Sequence, residues 1–197
     1  MNLIDYTYFV NDILLTNLNK DDQLSSLNSS IAKYQKEVLI RVLGYKLYSL
    51  FIVNPEAEQR FIDLRDGKEF SFIFDGVEVT REYIGLKNES KESLIAYYVY
   101  FYHQRKLVTR TSDIGENIPL SENSMNASSY DKIVKSWNDF IELAGRPFTN
   151  NCFPFNKLHK ATYDFADDSG SLYNFLLANK DVYPEWEFTY TENINHM

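Results

Sequence analysis

The chain has 197 residues, 44% hydrophobic and 24% charged, and a formal net charge of −8 from 20 basic and 28 acidic side chains. That size and composition suit one domain with a proper core. The acidic balance opposes wholesale binding to phosphate backbones, although a local basic patch would still be able to face DNA.

Cysteine usage and the N-terminus narrow the setting. Cys152 is the lone cysteine, so no intrachain disulfide is expected. Residues Met1 to Leu15 include Asp5 and Asp12 and lack the basic stretch of a signal peptide. No apolar run approaches the roughly 20 residues that span a bilayer. These features lead us to expect a soluble protein used inside a cell, or inside a virion assembled there, with no membrane partner. Aromatic content is high, at 15 Tyr, 14 Phe and 2 Trp. Tyrosine suits sites that are apolar at one end and wet at the other, as at protein interfaces. An aromatic core would account for the same composition.

In chain order, Ile4 to Leu18 mixes aromatic, aliphatic and polar residues and reads as an extended arm or small hairpin. Ser29-Ser30 offers an N-cap for a helix through Ile31, Tyr34, Val38, Leu39, Val42 and Leu43, which Gly44 should end. A short helix through Leu47, Leu50, Phe51 and Ile52 follows. A third is predicted from Pro55, carrying Ala57, Phe61, Ile62 and Leu64, with Asp66-Gly67 as its stop. The period then changes to two: Phe70, Phe72 and Phe74, then Asp75-Gly76, then Val77 and Val79. Two short extended runs joined by Asp-Gly predict a type I′ hairpin.

The longest helix is predicted from about Lys91 to Val108 with Ser90 as cap. Leu94, Ile95, Tyr98, Phe101 and Tyr102 mark one face, and Tyr97, Val99 and Tyr100 cover much of the rest. A helix apolar nearly all round is buried on several sides, either centrally or against neighbouring subunits. Thr109 to Ser128 reads as a long polar loop. A helix from Ser129 to Leu143 follows, ended by Gly145 and Pro147. A last helix spans Ser169 to Asn179. Val182 to Phe188 reads as an extended terminal arm whose side chains are meant for pockets, its own or a neighbour's.

Catalytic and metal chemistry finds little footing. No GxGxxG, GxxxxGK[ST], HExxH or GxSxG spacing occurs. Cys152 and His159 can be written as a thiol–imidazole pair, but sequence proximity says nothing about geometry. Asp164, Asp167 and Asp168 lack the spacing of a calcium loop, and they suit the N-terminus of the helix that follows. His103 sits in the long helix, where a satisfied side chain is the commoner outcome. Arg105, Lys106 and Arg110 suit the negative end of that helix dipole, and equally a DNA-lined channel.

A resemblance adds to this reading. The stretch IAKYQKEVLIRVLGYKLYSLF (Ile31 to Phe51) resembles a segment recurring in proteins of tailed phages and prophages of Bacteroidetes bacteria. FDGVEVTREYIGLKNESKESLIAYYVYFYHQ (Phe74 to Gln104) is similar to that family's next block. TSDIGE (Thr111 to Glu116), KSWND (Lys135 to Asp139) and SLYNFLLANKDVYPEW (Ser171 to Trp186) follow in the same order. The family is that of head–tail connector, or neck, components. The resemblance implies adaptor-like helical cores with hairpins and arms, assembled as rings, typically twelvefold, between portal and tail.

The combined expectation is a mainly α protein, a helical bundle with an inserted β-hairpin and extended N- and C-terminal arms. Residues 1–197 would form a single domain, with arms at 1–20 and 180–197. The chain would be a non-enzymatic virion structural protein and ring homo-oligomer, without cofactor or metal. Its partners would be the portal protein and tail or other neck proteins, with non-specific contact to packaged DNA. Candidate interface residues are Asp75, Gly76, Tyr97, Tyr100, Tyr183, Trp186 and Phe188, together with the loop Thr109 to Ser128; candidate DNA-facing residues are Arg105, Lys106 and Arg110. The alternative is a small non-catalytic binding or regulatory protein with an aromatic partner-binding surface. That alternative expects a compact monomer with Val182 to Phe188 packed on its own core.

Overall fold

A computed structural model describes residues 2–15, 21–108, 110–112, 115–117, 129–145 and 169–187. The protein is mainly α-helical, with an inserted two-stranded antiparallel hairpin. The first helix, α1 (Asp21–Val53), contains the break expected at Gly44, whose φ of 76° and ψ of 158° are not helical. It begins a full two turns before the serines expected to cap it. Ser29 and Ser30 instead lie inside the helix, where their hydroxyls donate back to the carbonyls of Ser25 and Ser26. Asp21 and Asp22 occupy the first turn, where acids complement the helix dipole.

α2 (Gln59–Asp66) starts after Glu58 rather than at Pro55 and stops at Gly67, as expected. The hairpin follows as β1 (Lys68–Phe74) and β2 (Val77–Tyr83). Phe74 pairs with Val77 across the two-residue turn, and Asp75 and Gly76 both have positive φ, 49° and 81°. This is the type I′ geometry that the Asp-Gly pair predicts, because its twist matches that of the strands.

α3 (Leu94–Val108) begins three residues later than expected. Ser93, not Ser90, serves its start: its hydroxyl donates to the Leu86 carbonyl (2.8 Å) and accepts from the Ile95 amide (3.2 Å). Ser90 belongs to the preceding loop, where it donates to the Asn88 side chain. The sequence of 109–128 reads as loop throughout. Within it, β3 (Arg110–Ser112) and β4 (Gly115–Asn117) form a second short hairpin. α4 (Ser129–Ala144) ends at Gly145, and the short α5 (Leu172–Ala178) is capped by Ser171.

The central placement expected of α3 is realised. It packs between α1 and α4, and Ile95, Ala96, Tyr98 and Val99 are fully buried. Tyr34 of α1 stacks on Tyr102 (5.0 Å between rings), and Phe101 meets Trp137 of α4 (4.7 Å). Aromatic pairs of this kind add stabilisation beyond their buried area.

Residues 2–15, expected as an arm or hairpin, form two 3-10 turns, Tyr6–Tyr8 and Asn11–Ile13. They are fastened to the body. Leu3, Ile4, Phe9 and Ile13 are buried, and the amides of Leu3 and Ile4 donate to the buried Gln35 side chain.

Candidate interaction surface

The hairpin is the element whose apolar side chains outrun the core. Cross-strand partners share a face, so Phe70, Phe72, Phe74, Val77, Val79 and Tyr83 all point one way. Near the root this face is sealed: Tyr83 is buried and stacks on Phe175 of α5 at 4.5 Å, while Phe70 packs edge-on to the same ring. Towards the tip the cover runs out. Phe72 is 5% exposed, Phe74 and Val79 are half-buried, and Val77 is 64% exposed. On the opposite face Ile73 is 60% exposed. Asp75 and Gly76 form the tip between them, and nothing lies within 4 Å of where a Gly76 side chain would start. The turn thus presents two apolar side chains to water, one on each face of the hairpin, and these mark the tip as a candidate contact element.

The other candidates divide sharply. Tyr100 and Tyr183 do not lie on a free surface: they are 4% and 1% exposed and belong to the core. Tyr97 is half-buried against the same core. The Tyr183 hydroxyl donates to the Arg60 carbonyl at 2.6 Å, and burial pushes its phenol well above the usual range. Tyr83 donates to the Leu64 carbonyl and Tyr8 to that of Asn88. These three phenols, of 15 in the chain, are therefore core side chains that cap backbone acceptors without a partner protein.

The segment expected as a C-terminal arm is likewise folded back as far as Glu187. The break at Gly44 leaves the Val42 carbonyl without its usual helical donor. The Trp186 indole N–H fills that place at 3.1 Å. Glu187 crosses directly over Gly44 and pairs with Lys46. Arg60 binds Glu185 (2.8 Å) and the Val182 carbonyl (3.1 Å), fixing the same segment to α2. Phe188 lies outside the described residues.

Of the basic candidates, Arg105 lies over the Phe101 ring at 5.4 Å and Lys106 is exposed at the end of α3. Arg110 sits on β3, opposite Asn117. The side chains of Arg110 and of the stretch 109–128 lie outside the described residues. Cys152, His159 and the acids Asp164, Asp167 and Asp168 also lie outside them.

His103 is buried in the seam between α1 and α3. Its Nδ1 lies 2.9 Å from the Ser30 hydroxyl, which also donates to the Ser26 carbonyl. Burial, then the nearby Lys106, holds the imidazole below its ordinary 6.5. No group of metal-ligating side chains occurs among the described residues. No described helix is long and apolar enough to cross a membrane.

One surface feature escapes periodicity. Tyr45, Leu50 and Val53 on the second segment of α1 are 69%, 45% and 82% exposed. Leu50 in particular reads from sequence as a core residue. Comparison with protein-family models, with curated proteins and with solved structures finds no match to this chain.

Proposed function

We propose that this chain is an assembly protein, a ring-forming subunit of the phage head-to-tail connector between portal and tail. The observation that carries the reading is the hairpin tip, where Ile73 and Val77 stand 60% and 64% exposed on an ordered type I′ turn. Such a tip offers backbone edges and side-chain anchors to a neighbouring protein. The resemblance of five sequence blocks, in order, to phage neck proteins supplies the identity of that neighbour: the portal, the tail or another neck protein. The work is surface complementarity, and ring closure multiplies contacts that are individually weak.

The test is a double substitution, Ile73→Ser with Val77→Ser. Both side chains are mainly exposed, so stability should change little. Capture of the chain by the portal ring of the same genome should be lost. Unchanged capture would remove the hairpin from the interface.

A second reading is favoured by one observation. Val182 to Trp186 packs on the chain's own core, as expected of a compact binding or regulatory protein. Under that reading the exposed stripe Tyr45, Leu50 and Val53 would receive a peptide or protein partner. A chain that stays monomeric and ignores the portal would favour it.

A further inference from the structure

The two faces of the hairpin differ in charge. The outer face carries Glu69, Glu78 and Glu82, all exposed, beside Ser71, Thr80 and Ile73. Glu69 and Glu82 are direct cross-strand partners. Like charges so placed repel and weaken the pair. None of the three acids has an ion-pair partner among the described residues. No lysine or arginine of the two strands shares that face. The arrangement is unfavourable in the isolated chain, and an opposing cationic surface would relieve it.

The same chain carries exposed lysines elsewhere, unpaired among the described residues. Lys33 and Lys36 are exposed on α1, and Lys106 is exposed near the end of α3. The two helices meet here through the Tyr34–Tyr102 stack and the Ser30–His103 contact. Lys33 lies over the Tyr34 ring at 4.9 Å. None of the three lysines pairs with a described carboxylate. The two helices run antiparallel, with Ser30 beside His103 and Glu37 bonded to Tyr98, so Lys33 and Lys106 flank the C-terminal half of α3 and Lys36 lies nearer its middle. The hairpin leads into its N-terminal end, where Ser93 holds the Leu86 carbonyl. Lys106 is twelve residues beyond Leu94, or about 18 Å along the helix.

From this placement we infer that the acidic outer face of the hairpin of one copy docks on the Lys33–Lys36–Lys106 rim of the next copy. This rests on the assembly reading above and gives it a subunit contact. Two different patches joined head to tail form a heterologous interface, the kind that closes rings or propagates filaments. The charges set orientation and partner choice, and the interface should weaken with salt.

The test uses the full chain and two charge-reversed variants, one with Glu69, Glu78 and Glu82 all changed to Lys, the other with Lys33, Lys36 and Lys106 all changed to Glu. Mass is measured by light scattering against concentration in low salt, with circular dichroism to confirm that each variant is folded. The unmodified chain should self-associate, and about 0.5 M salt should weaken the association at least about tenfold. Each variant alone carries like charges on both patches and should be at least about tenfold weaker still. Mixed in equal amounts, the two variants should associate again, since every contact then joins opposite charges. A chain that is monomeric in low salt would overturn the inference, and portal capture would then decide the assembly reading separately. Self-association that survives both reversals would also overturn it while leaving the assembly reading in place. Failure of the folded variants to associate on mixing would overturn it as well.

Discussion

Replacing Gly44 with Ala separates two accounts of α1 by sign. Were the helix continuous from Asp21 to Val53, alanine would stabilise it by about 1 kcal/mol, because glycine is the poorer helix former. At the observed break, φ of 76° and ψ of 158° fall in a region that essentially only glycine occupies, costing other residues roughly 1–3 kcal/mol. A Cβ would also stand 2.9 Å from the Glu187 carbonyl oxygen and 3.2 Å from its amide nitrogen. Backbone there yields only if the segment carrying Trp186 lifts, which would break the indole bond to the Val42 carbonyl and add about 1 kcal/mol. The expected total is a destabilisation of about 2–4 kcal/mol, or a fall in Tm of roughly 5–15 °C. Urea unfolding with an unchanged m-value measures it. A Gly44→Ala protein as stable as the parent, or more so, would refute the break and the strapping of the C-terminal segment across it.

Trp186→Phe should keep most of the packing, leave the Val42 carbonyl without its donor, and cost about 1–2 kcal/mol in urea unfolding; no loss would mean water serves that carbonyl equally well. Tyr98→Phe removes the 2.7 Å bond to the Glu37 carboxylate and should cost a similar amount by the same assay, about 1–2 kcal/mol. Burial and Lys106 depress the His103 pKa, so below its ordinary 6.5 the unfolded chain takes up a proton that the folded chain resists. Stability should therefore fall as pH drops through that window and level off below the folded value. His103→Gln should flatten this dependence, and identical pH profiles for the two proteins would contradict it.

The parts of the fold legible in the sequence were those set by local chemistry. Asp75-Gly76 specified its turn because both residues tolerate positive φ, and Gly44 and Gly67 marked real interruptions for the same reason. The all-round apolar character of Leu94 to Val108 correctly indicated a central helix. What failed depended on tertiary partners. Ser29-Ser30 has the composition of a cap, yet the helix continues through it because Leu27, Ile31 and the buried Ser30–His103 contact hold both sides of it against α3. For Tyr183 and Trp186 the pattern leaves two pockets open, the chain's own or a neighbour's, because one dimension cannot tell them apart; both side chains fill the chain's own. Trp186 is held by the Val42 carbonyl at the helix break, 144 residues earlier in the chain, and Tyr183 by the Arg60 carbonyl of α2, 123 residues earlier. The exposed pair Ile73 and Val77 was hidden for the converse reason: strand alternation indicates which face a residue takes, but not where along the strand the core ends.

The most direct test of the assembly role is the mass and shape of the purified chain, alone and mixed with the portal ring of the same genome, by light scattering and negative-stain imaging. Closed rings, or a stoichiometric layer of this chain on the portal, are the predicted result. A monomer at every concentration that adds no mass to the portal would contradict it.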